Sequence, residues 1–271
     1  MPTTAEQRML HRNMTDVPSP RVTALYRYPV KGLSPEALDA VDLLPARGFP
    51  DDRRFAVALG TTAYDQTEPA WQPKSAFFQL ARHERLAMLE SRYDSPSETL
   101  TLSRAGRPVV RGKLTDAQGR AVVGEFLSAF LAGEGQGRPR LVEGPAVGLA
   151  DCGEALVSII GEASVTDLAR IAGKPVERLR FRANVYVAGT RPWEEFGWIG
   201  RTIALGTARL EVVDRIGRCA ATNVDPATAE RDMNLPRSLQ QAFGHADMGV
   251  YARVIEGGRV AAGDAIGVAS A

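Results

Sequence analysis

The sequence predicts a mainly β fold with a few helices, an α+β chain in which two β-barrel-like units meet at a cleft. Short apolar stretches with a partly alternating pattern, bounded by Gly, Pro or Asp, recur from residue 21 almost to the end of the chain. A few stretches change to a spacing of three to four residues, which is typical of amphipathic helices. No self-similarity at a period of about 20 to 50 residues is present, which excludes solenoids and propellers.

The chain divides into two halves at a glycine-rich stretch. A run of predicted strands gives way to apolar residues spaced by three to four over residues 120–132, which predicts an amphipathic helix. Residues 133–137, with three glycines, follow this helix. We therefore expect one unit over residues 21–137 and a second over residues 138–271. Residues 1–20 are polar, contain three prolines and are expected to form a flexible tail.

Two shorter helices are expected in the second half, at residues 164–172 and 235–243. Ser164 and Asp167 have the spacing of a capping box, in which side chains satisfy the unpaired backbone N–H groups at a helix start. Asn234, followed by a proline in the first turn, favours the start of the second helix.

Two further patterns in the second half predict strands. Alternation over residues 177–188 puts Arg178, Arg180 and Arg182 on one face of a strand, with apolar residues on the other face. Three arginines on one face are either solvated or serve an anion. Residues 248–268 are expected to form a terminal hairpin that turns at a pair of glycines.

Composition limits the class of protein. The chain has 33 Lys+Arg against 32 Asp+Glu, which gives no support for extensive binding to nucleic acid or to a membrane. There is no run of about 18 apolar residues, and residues 1–20 lack the apolar segment of a signal peptide. Two cysteines without a CxxC pair make neither a disulfide framework nor a structural zinc site. A soluble, cytoplasmic protein is the simplest expectation.

The stretch over residues 217–232 is the main candidate for chemistry. Cys219 follows a predicted strand and stands directly after Arg218, and a fixed positive charge favours the thiolate, which attacks electrophiles and binds soft metals. Asp225 and Pro226 mark a turn further along the same stretch. A lone cysteine after a strand is more often packed in the core, so the local sequence leaves both interpretations open.

Two loops in the first half each carry a cation. Lys31 lies in a turn after the first predicted strand, and Arg53 lies in a loop rich in charge. Taken singly, each is most simply a solvated surface charge. Residues 61–74, with Trp71, form a long predicted loop that could cover a site, and Cys152 is most simply a packed thiol.

Several motifs, taken in order, resemble the MOSC superfamily, which is named for the C-terminal domain of molybdenum cofactor sulfurases and includes the mitochondrial amidoxime-reducing components. The motifs are YPVKG at 28–32, DRRF at 52–55, RFRANVYV at 180–187, GRCAATNVDPATAERD at 217–232 and GVYARVIEGGRVAAGD at 249–264. The resemblance covers about residues 21–269. It implies a MOSC-type β-barrel domain packed with an N-terminal β-barrel-like region.

The resemblance implies a bound molybdenum–molybdopterin cofactor and a role for individual residues. Cys219 matches the cysteine that ligates molybdenum in amidoxime-reducing relatives. The resemblance also implies a set of residues that contact the molybdopterin or line its pocket: Lys31, Gly32, Arg53, Arg182, Asn184, Gly217, Arg218 and Tyr251. Asp225 is expected to order the cysteine loop or to lie near the open metal position as a catalytic residue. A metal dithiolene with a phosphate needs one soft ligand and several cations, which this set supplies.

Departures from the family pattern bear on partners. Gly32 replaces the serine that often follows the motif lysine, and Ala183 replaces a common proline. No ferredoxin-type cysteine extension follows the domain, so a separate electron-transfer protein is expected to act with a small-molecule substrate. In full-length sulfurases this superfamily is associated with a pyridoxal-phosphate domain, and no such domain precedes the matching region in this sequence. A fused desulfurase is therefore not expected to supply sulfur to Cys219.

Three functions remain open on the sequence. The leading one is a molybdenum-dependent oxidoreductase of the amidoxime-reductase type, which reduces N-oxygenated compounds at a Cys219-ligated metal. The alternative is a sulfur carrier or sulfurtransferase module that bears a persulfide on Cys219. The third is a cofactor carrier without turnover.

Overall fold

The computed structural model describes residues 19–135 and 137–269, so most of the predicted tail, residues 1–18, lies outside the described residues. The described strands are β1 Arg21–Arg27, β2 Glu36–Leu38, β3 Ala40–Leu43, β4 Phe55–Ala58, β5 Glu90–Asp94, β6 Thr99–Arg104, β7 Arg107–Lys113, β8 Arg140–Glu143, β9 Leu156–Gly161, β10 Val185–Ala188, β11 Thr202–Leu205, β12 Ala208–Gly217, β13 Asp247–Glu256, β14 Gly258–Ala261 and β15 Ile266–Val268. The described α-helices are α1 Ala117–Phe130, α2 Glu162–Ala172 and α3 Leu235–Phe243. Short 3₁₀ turns lie at Lys74–Ala76, Glu84–Met88, Arg178–Phe181, Glu194–Trp198 and Ala220–Asn223. The predicted mainly β fold with a few helices is confirmed.

One eight-stranded sheet is the largest element. Its strand order is β15-β11-β12-β13-β9-β10-β1-β2, and every neighbouring pair is antiparallel except β9 and β10. Smaller sheets pair β3 with β14, β4 with β8, and β6 with both β5 and β7. Strand pairing crosses residue 137, because β1 pairs with β10 and β3 with β14. The division into two units at that residue stays a prediction.

Alternation along the central strands builds one core. On β12, Ala208, Leu210 and Val212 are buried, whereas Arg209 and Glu211 between them are not. This is the period of two that puts one face of a strand against apolar neighbours. The central strands β9 and β10 differ, because they are buried on both faces and contribute to two apolar clusters.

Helix α1 anchors a second core in the first half. Val123, Leu127 and Phe130 are its buried residues and follow the spacing of one helical face. They share a cluster with the strand residues of β5 and β6, among them Leu100. The helix begins earlier than the apolar pattern predicts because the Asp116 side chain accepts a hydrogen bond from the backbone N–H of Gln118 at 3.1 Å.

The two predicted helices of the second half are present, and one predicted cap is wrong. Helix α3 spans the predicted residues, and the Asn234 side chain accepts from the backbone of Arg237. Helix α2 begins at Glu162, two residues before the predicted start, and no side chain caps it. Ser164 does not form the capping box because its hydroxyl is buried and donates to Glu195 at 2.8 Å.

The strand predicted over residues 177–188 is wrong for its first half. Arg178–Phe181 forms a 3₁₀ turn that Glu177 caps, and only β10 is extended. The three arginines consequently do not share a face: Arg178 pairs with a glutamate on α2, Arg180 with two aspartates, and Arg182 enters the cleft described below. Carboxylate partners in different directions outweigh the alternation that the sequence displays.

The predicted terminal hairpin is also wrong. Strand β14 pairs with β3 and not with β13, although the two glycines lie where a hairpin turn was expected. A Cβ on Gly258 would lie 2.5 Å from the carbonyl carbon of Thr207, so this glycine permits a close backbone crossing. In the described part of the chain no helix is both long and apolar enough to cross a bilayer.

Glu195 is a carboxyl group with no exposed surface, and it lies beside the start of α2. It accepts hydrogen bonds from the backbone N–H of Gly161 at 3.2 Å and from Ser164 Oγ at 2.8 Å. Burial raises the pKa of Glu195, because removal from water disfavours the charged carboxylate.

Replacing Glu195 by Gln should make the folded state less sensitive to rising pH. A raised folded-state pKa means that the folded protein binds more protons than the unfolded chain above the ordinary glutamate value of about 4.3, so stability falls as pH rises from that value through the folded pKa. The amide does not titrate. The urea midpoint of Glu195→Gln should therefore decline less between about pH 5 and pH 8 than that of the wild type. Glu194→Gln is the neighbouring control, and equal declines in the wild type and Glu195→Gln would contradict the prediction.

Candidate functional site

A cleft of about 130 Å³ lies at the end of β12 and is lined from both halves of the chain. Most of the predicted site residues line it: Lys31, Gly32, Arg53, Arg182, Asn184, Gly217, Arg218, Cys219 and Tyr251. Asp225 does not. Residues near the two ends of the sequence, such as Lys31 and Tyr251, therefore share one concave site.

The cleft concentrates positive charge. Its charged lining consists of Lys31, Arg53, Arg180, Arg182 and Arg218, against the carboxylates of Asp52 and Asp151. The whole chain carries a formal charge of only +1, so this excess is a local arrangement. Walls of low dielectric constant strengthen the field in such a cleft and attract anions.

Two of these arginines contact the same aromatic ring. The guanidinium carbons of Arg53 and Arg182 each lie 4.3 Å from the centroid of the Tyr28 ring, which has no exposed surface. Arg53 also donates to the backbone carbonyl of Arg182 at 2.7 Å and forms an ion pair with Asp52. Arg182 donates to the carbonyl of Leu33 at 2.6 Å. The ring and these carbonyls hold two like charges side by side.

Both arginines have strained backbones. Arg53 has a φ of 51° and Arg182 a φ of 54°, in the left-handed region. This conformation costs a residue with a Cβ about 1–2 kcal/mol, and such strain clusters at functional sites. Hydrogen bonds of the Arg53 backbone maintain it: its N–H donates to Tyr28 at 2.7 Å and its carbonyl accepts from Leu149 at 2.8 Å.

Arg182 lacks part of its normal solvation. Burial, together with the neighbouring charge of Arg53, lowers the pKa of Arg182 to about 10. Its Nη2 nitrogen is buried and has no hydrogen-bond partner within the described residues. A buried donor without an acceptor is costly, and an anion in the cleft would supply the acceptor and offset the repulsion.

Lys31 is held by an internal anion. Its Nζ donates to Asp151 at 2.6 Å and to the carbonyl of Leu149 at 2.8 Å. Burial lowers the pKa of Lys31, and the attraction of Asp151 acts in the opposite direction. The next residue, Gly32, has a φ of +87°, so the glycine is explained by backbone conformation.

Strand β12 delivers Gly217, Arg218 and Cys219 to the cleft. The Arg218 guanidinium donates to the carbonyl of Met248 at 2.9 Å and to that of Phe181 at 2.8 Å. It pairs with no carboxylate in the described part of the chain, and burial lowers the pKa of Arg218. A cation fixed on backbone carbonyls therefore stands next to the half-buried thiol of Cys219.

Asn184 acts on the cleft through other residues. Its Oδ1 accepts from the backbone and the hydroxyl of Ser158, and its Nδ2 donates to the carbonyl of Tyr26 at 3.1 Å and to Asp52 at 3.0 Å. Asp52 in turn pairs with Arg53. The amide therefore orients a carboxylate, and the carboxylate orients an arginine.

Tyr251 on β13 lines the cleft near Arg218. Burial raises the pKa of Tyr251, and the charge of Arg218 partly opposes that effect. The phenol therefore stays neutral at physiological pH and keeps an O–H group that can donate a hydrogen bond.

Asp225 stands outside the cleft, which favours the first of its two predicted roles. Its Oδ1 accepts from the backbone of Ala227 at 2.8 Å and of Thr228 at 3.1 Å, so it orders the turn after Cys219. Its Oδ2 pairs with Arg180 at 2.7 Å. We therefore do not retain Asp225 among the residues that could touch a bound group.

Several residues that line the cleft or support its arginines were missing from the predicted set. Tyr28 lies in the motif at 28–32 that contains Lys31, and Asp52 lies in the motif at 52–55 directly before Arg53. An aromatic ring and an acid so close to the two motif cations are a sequence signal that could have identified both residues. Arg180 was visible only as one of three arginines. Asp151 carried no signal, because an acid in a loop is most simply solvated.

Two secondary candidates lie beside the cleft. Trp71 donates through Nε1 to the carbonyl of Ala150, a lining residue, at 3.0 Å. Cys152 is half-buried and does not line the cleft, and burial raises its pKa.

The residues present fit a group with a soft metal at one end and an anion at the other. Within residues 19–135 and 137–269, no cluster of three or more His, Cys, Asp or Glu side chains is positioned to hold a metal ion. A metal bound to Cys219 would therefore need further ligands from another molecule, and a dithiolene supplies sulfur ligands of the same softness. The donor of Arg182 that lacks an acceptor lies on the cationic side of the same cleft.

Fold and site together define a β-rich protein with a cationic cleft that a cysteine helps to line. The chain belongs to the MOSC domain family: the model of the MOSC domain matches residues 137–267, and that of the MOSC N-terminal beta barrel domain matches residues 19–137. The resemblance seen in the motifs is confirmed.

Curated relatives carry two names. Molybdenum cofactor sulfurases of Caenorhabditis briggsae and Caenorhabditis elegans are 27% and 25% identical, over 86% and 87% of this chain and 33% of each relative. Mitochondrial amidoxime reducing component 2 of Bos taurus is 30% identical over 39% of this chain and 30% of the relative. The chain thus spans about one third of the length of the sulfurases that it matches.

Solved structures show weaker similarity. The YuaD protein of Bacillus subtilis has a TM-score of 0.44 and 14% identity, with 93% of this chain and 97% of that chain covered. YiiM of Geobacillus stearothermophilus has a TM-score of 0.34 and 20% identity, with 42% and 54% covered.

Proposed function

We propose that this protein binds the molybdenum–molybdopterin cofactor in the cationic cleft and reduces N-oxygenated small molecules. The observation that carries the proposal is the meeting, in one cleft, of the Cys219 thiol with a group of cations that includes a buried arginine donor without an acceptor. Membership of a family related to molybdenum cofactor sulfurases and amidoxime reducing components supports it.

Different residues would bind the two ends of the cofactor. Lys31, Arg53 and Arg182 would bind its phosphate and pterin end, and Cys219 would ligate the metal. When bound, the cofactor would supply two-electron redox chemistry and oxygen-atom transfer. Gly217 would let the backbone approach the cofactor closely, and Gly32 would line the same pocket.

The chain's own groups set the conditions for that chemistry. Arg218, fixed on the carbonyls of Met248 and Phe181, places a positive charge next to Cys219 in the chain. Tyr251, neutral at physiological pH, is the donor that could orient the oxygen of a substrate. A separate electron-transfer protein would deliver electrons, and the cytoplasmic location stays a prediction.

The direct test is metal and pterin analysis of protein produced in a cofactor-competent host. We expect molybdenum and pterin in comparable amounts in the wild type. Cys219→Ser should retain pterin but lose most of its molybdenum, because an alcohol oxygen is a poor substitute for a thiolate on a soft metal. Cys152→Ser, the other cysteine of the chain, should resemble the wild type. Absence of molybdenum from all three proteins would refute the proposal.

A second candidate is a sulfur carrier with a persulfide on Cys219. It is favoured by one observation, which is that the sulfurase relatives match 86–87% of the chain and the amidoxime reducing component 39%. Intact-mass measurement on metal-free protein distinguishes the two. A sulfane adduct that disappears in Cys219→Ser but not in Cys152→Ser would favour the carrier.

A further inference from the structure

Arg180 connects the cleft to the cysteine loop, by which we mean residues 219–232. Its side chain is 2% exposed. Its Nη1 donates to the carbonyl of Asn223 at 3.2 Å, and its Nη2 lies 2.7 Å from Asp225 Oδ2 and 2.8 Å from Asp232 Oδ1. One buried guanidinium therefore contacts the loop at three points.

The loop's internal hydrogen bonds shape it but do not attach it to the rest of the protein. The backbone and hydroxyl of Thr222 both bond to the carbonyl of Cys219, and the backbone of Asp225 bonds to that of Glu230. These bonds would persist if the whole loop moved away from the cleft. What fixes its position must be a contact with another element.

Among the ion pairs that attach the loop to other elements, the buried one should dominate. Lys174 pairs with Asp232, and Arg231 pairs with Glu84, but the partners in both pairs are between 31% and 44% exposed. Exposed ion pairs contribute little because water screens them. Removing one partner of a buried pair costs much more, since a charge is left without compensation.

We propose that Arg180 is a positioning residue that holds the cysteine loop against the cleft and thereby fixes the place of the Cys219 thiol. All three of its contacts are with residues that follow Cys219 in the chain, whereas β12 precedes Cys219. Arg180 therefore restrains the part of the loop that β12 does not hold. The inference rests on the proposed function in one respect only, which is that the proposed function gives Cys219 a metal to bind. The restraint itself exists without any bound group.

Arg178 provides a matched control. It belongs to the same 3₁₀ turn, but its guanidinium pairs with Glu162 at 2.5 Å and contacts Tyr26, away from the cysteine loop. Arg178→Met and Arg180→Met therefore remove the same chemical group from neighbouring positions. Only the second removes contacts with residues 219–232.

The test is hydrogen–deuterium exchange on protein purified without cofactor. In Arg180→Met the amides of residues 219–232 should exchange about tenfold faster, while those of β12 and β13 stay as in the wild type. Arg178→Met should leave the loop unchanged, and Arg180→Lys, which keeps the charge but not the fork of donors, should fall between. Asp232→Asn should give a smaller increase, and it decides the question if Arg180→Met does not fold.

Two results would overturn the inference: loop exchange equal to that of the wild type, or exchange raised equally in the core strands, as a general loss of stability would produce. In loaded protein, Arg180→Met should also lose molybdenum faster than Arg178→Met. If the loop loosens locally but the wild type contains no molybdenum, the proposed function fails and the positioning role stands. If the wild type contains molybdenum but the loop does not loosen in Arg180→Met, the positioning role fails and the proposed function stands.

Discussion

Arg182→Met is expected to weaken cofactor binding by about a hundredfold, since one hydrogen bond to a charged group contributes about 1.5–3 kcal/mol and 1.4 kcal/mol is a factor of ten. Within the described residues, Arg182 Nη2 and Arg180 Nε are the buried donors of the cleft arginines that lack an acceptor, and a bound anion would supply one to Arg182. The pterin content of purified protein, measured by fluorescence after release, checks this. Unchanged content would contradict the assignment of Arg182 to the anion.

The same substitution should stabilise the protein when no cofactor is bound. Burial and the charge of Arg53 lower the pKa of Arg182 to about 10, so the folded state disfavours the charged form. The unfolded chain then binds more protons between about pH 10 and the ordinary arginine pKa of about 12.5, and the penalty is fully present at all lower pH values. Methionine is uncharged and does not carry this penalty.

The magnitude follows from opposing terms. A shift of this size corresponds to a penalty of about 3 kcal/mol, and loss of the charged bond to Leu33 subtracts about 1.5–3 kcal/mol, which leaves a gain of at most about 1.5 kcal/mol. The left-handed backbone is unaffected, because methionine also carries a Cβ. Thermal unfolding at neutral pH should show a higher midpoint for cofactor-free Arg182→Met, with Arg178→Met as the control. A lower midpoint than that of the wild type would contradict this reasoning.

Tyr28→Ala should destabilise the protein by about 3–5 kcal/mol, the cost typical of removing a large buried aromatic side chain. The Tyr28 ring has no exposed surface and contacts the guanidinium groups of both Arg53 and Arg182. Its loss creates a cavity and leaves two like charges without their common support. Urea unfolding measures the cost, and pterin content should fall in parallel.

Tyr28→Phe separates the ring from the hydroxyl. The hydroxyl makes one bond, to the carbonyl of Ala183 at 3.3 Å, and burial raises the pKa of Tyr28, so the phenol is uncharged. Phenylalanine keeps both cation–ring contacts, and the expected loss is within about 1.5 kcal/mol. Equal losses for Phe and Ala would show that the hydroxyl, and not the ring, supports the site.

Local signals in the sequence predicted the helices well. Asn234 predicted the start of α3, and the structure shows that an αL glycine at 244 ends it, because such preferences act within a few residues of the helix ends. The predicted capping role of Ser164 failed because a distant partner, Glu195, binds its hydroxyl. Short-range preferences hold until a buried group from elsewhere in the chain competes for the same atom.

Strand patterns were less reliable. Alternation over residues 177–188 predicted a strand, and the two glycines after β13 predicted a hairpin turn, but a 3₁₀ turn and a pairing of β14 with β3 are present. Alternation reports burial on one face, and it does not specify which strand pairs with which. Pairing between residues far apart depends on the whole sheet.

The sequence by itself determined the types of residue in the cleft and their family resemblance: a thiol after an arginine, and cations in the motifs around Lys31, Arg53 and Arg182. The tertiary structure alone decided how they are used. It separated Arg182, which lines the cleft, from Arg178, which does not, and it turned Asp225 from a candidate catalyst into a partner of Arg180. The physical reason is that ion pairs and hydrogen bonds form only at distances of a few ångströms, and the distances between these groups are set only once the chain is folded.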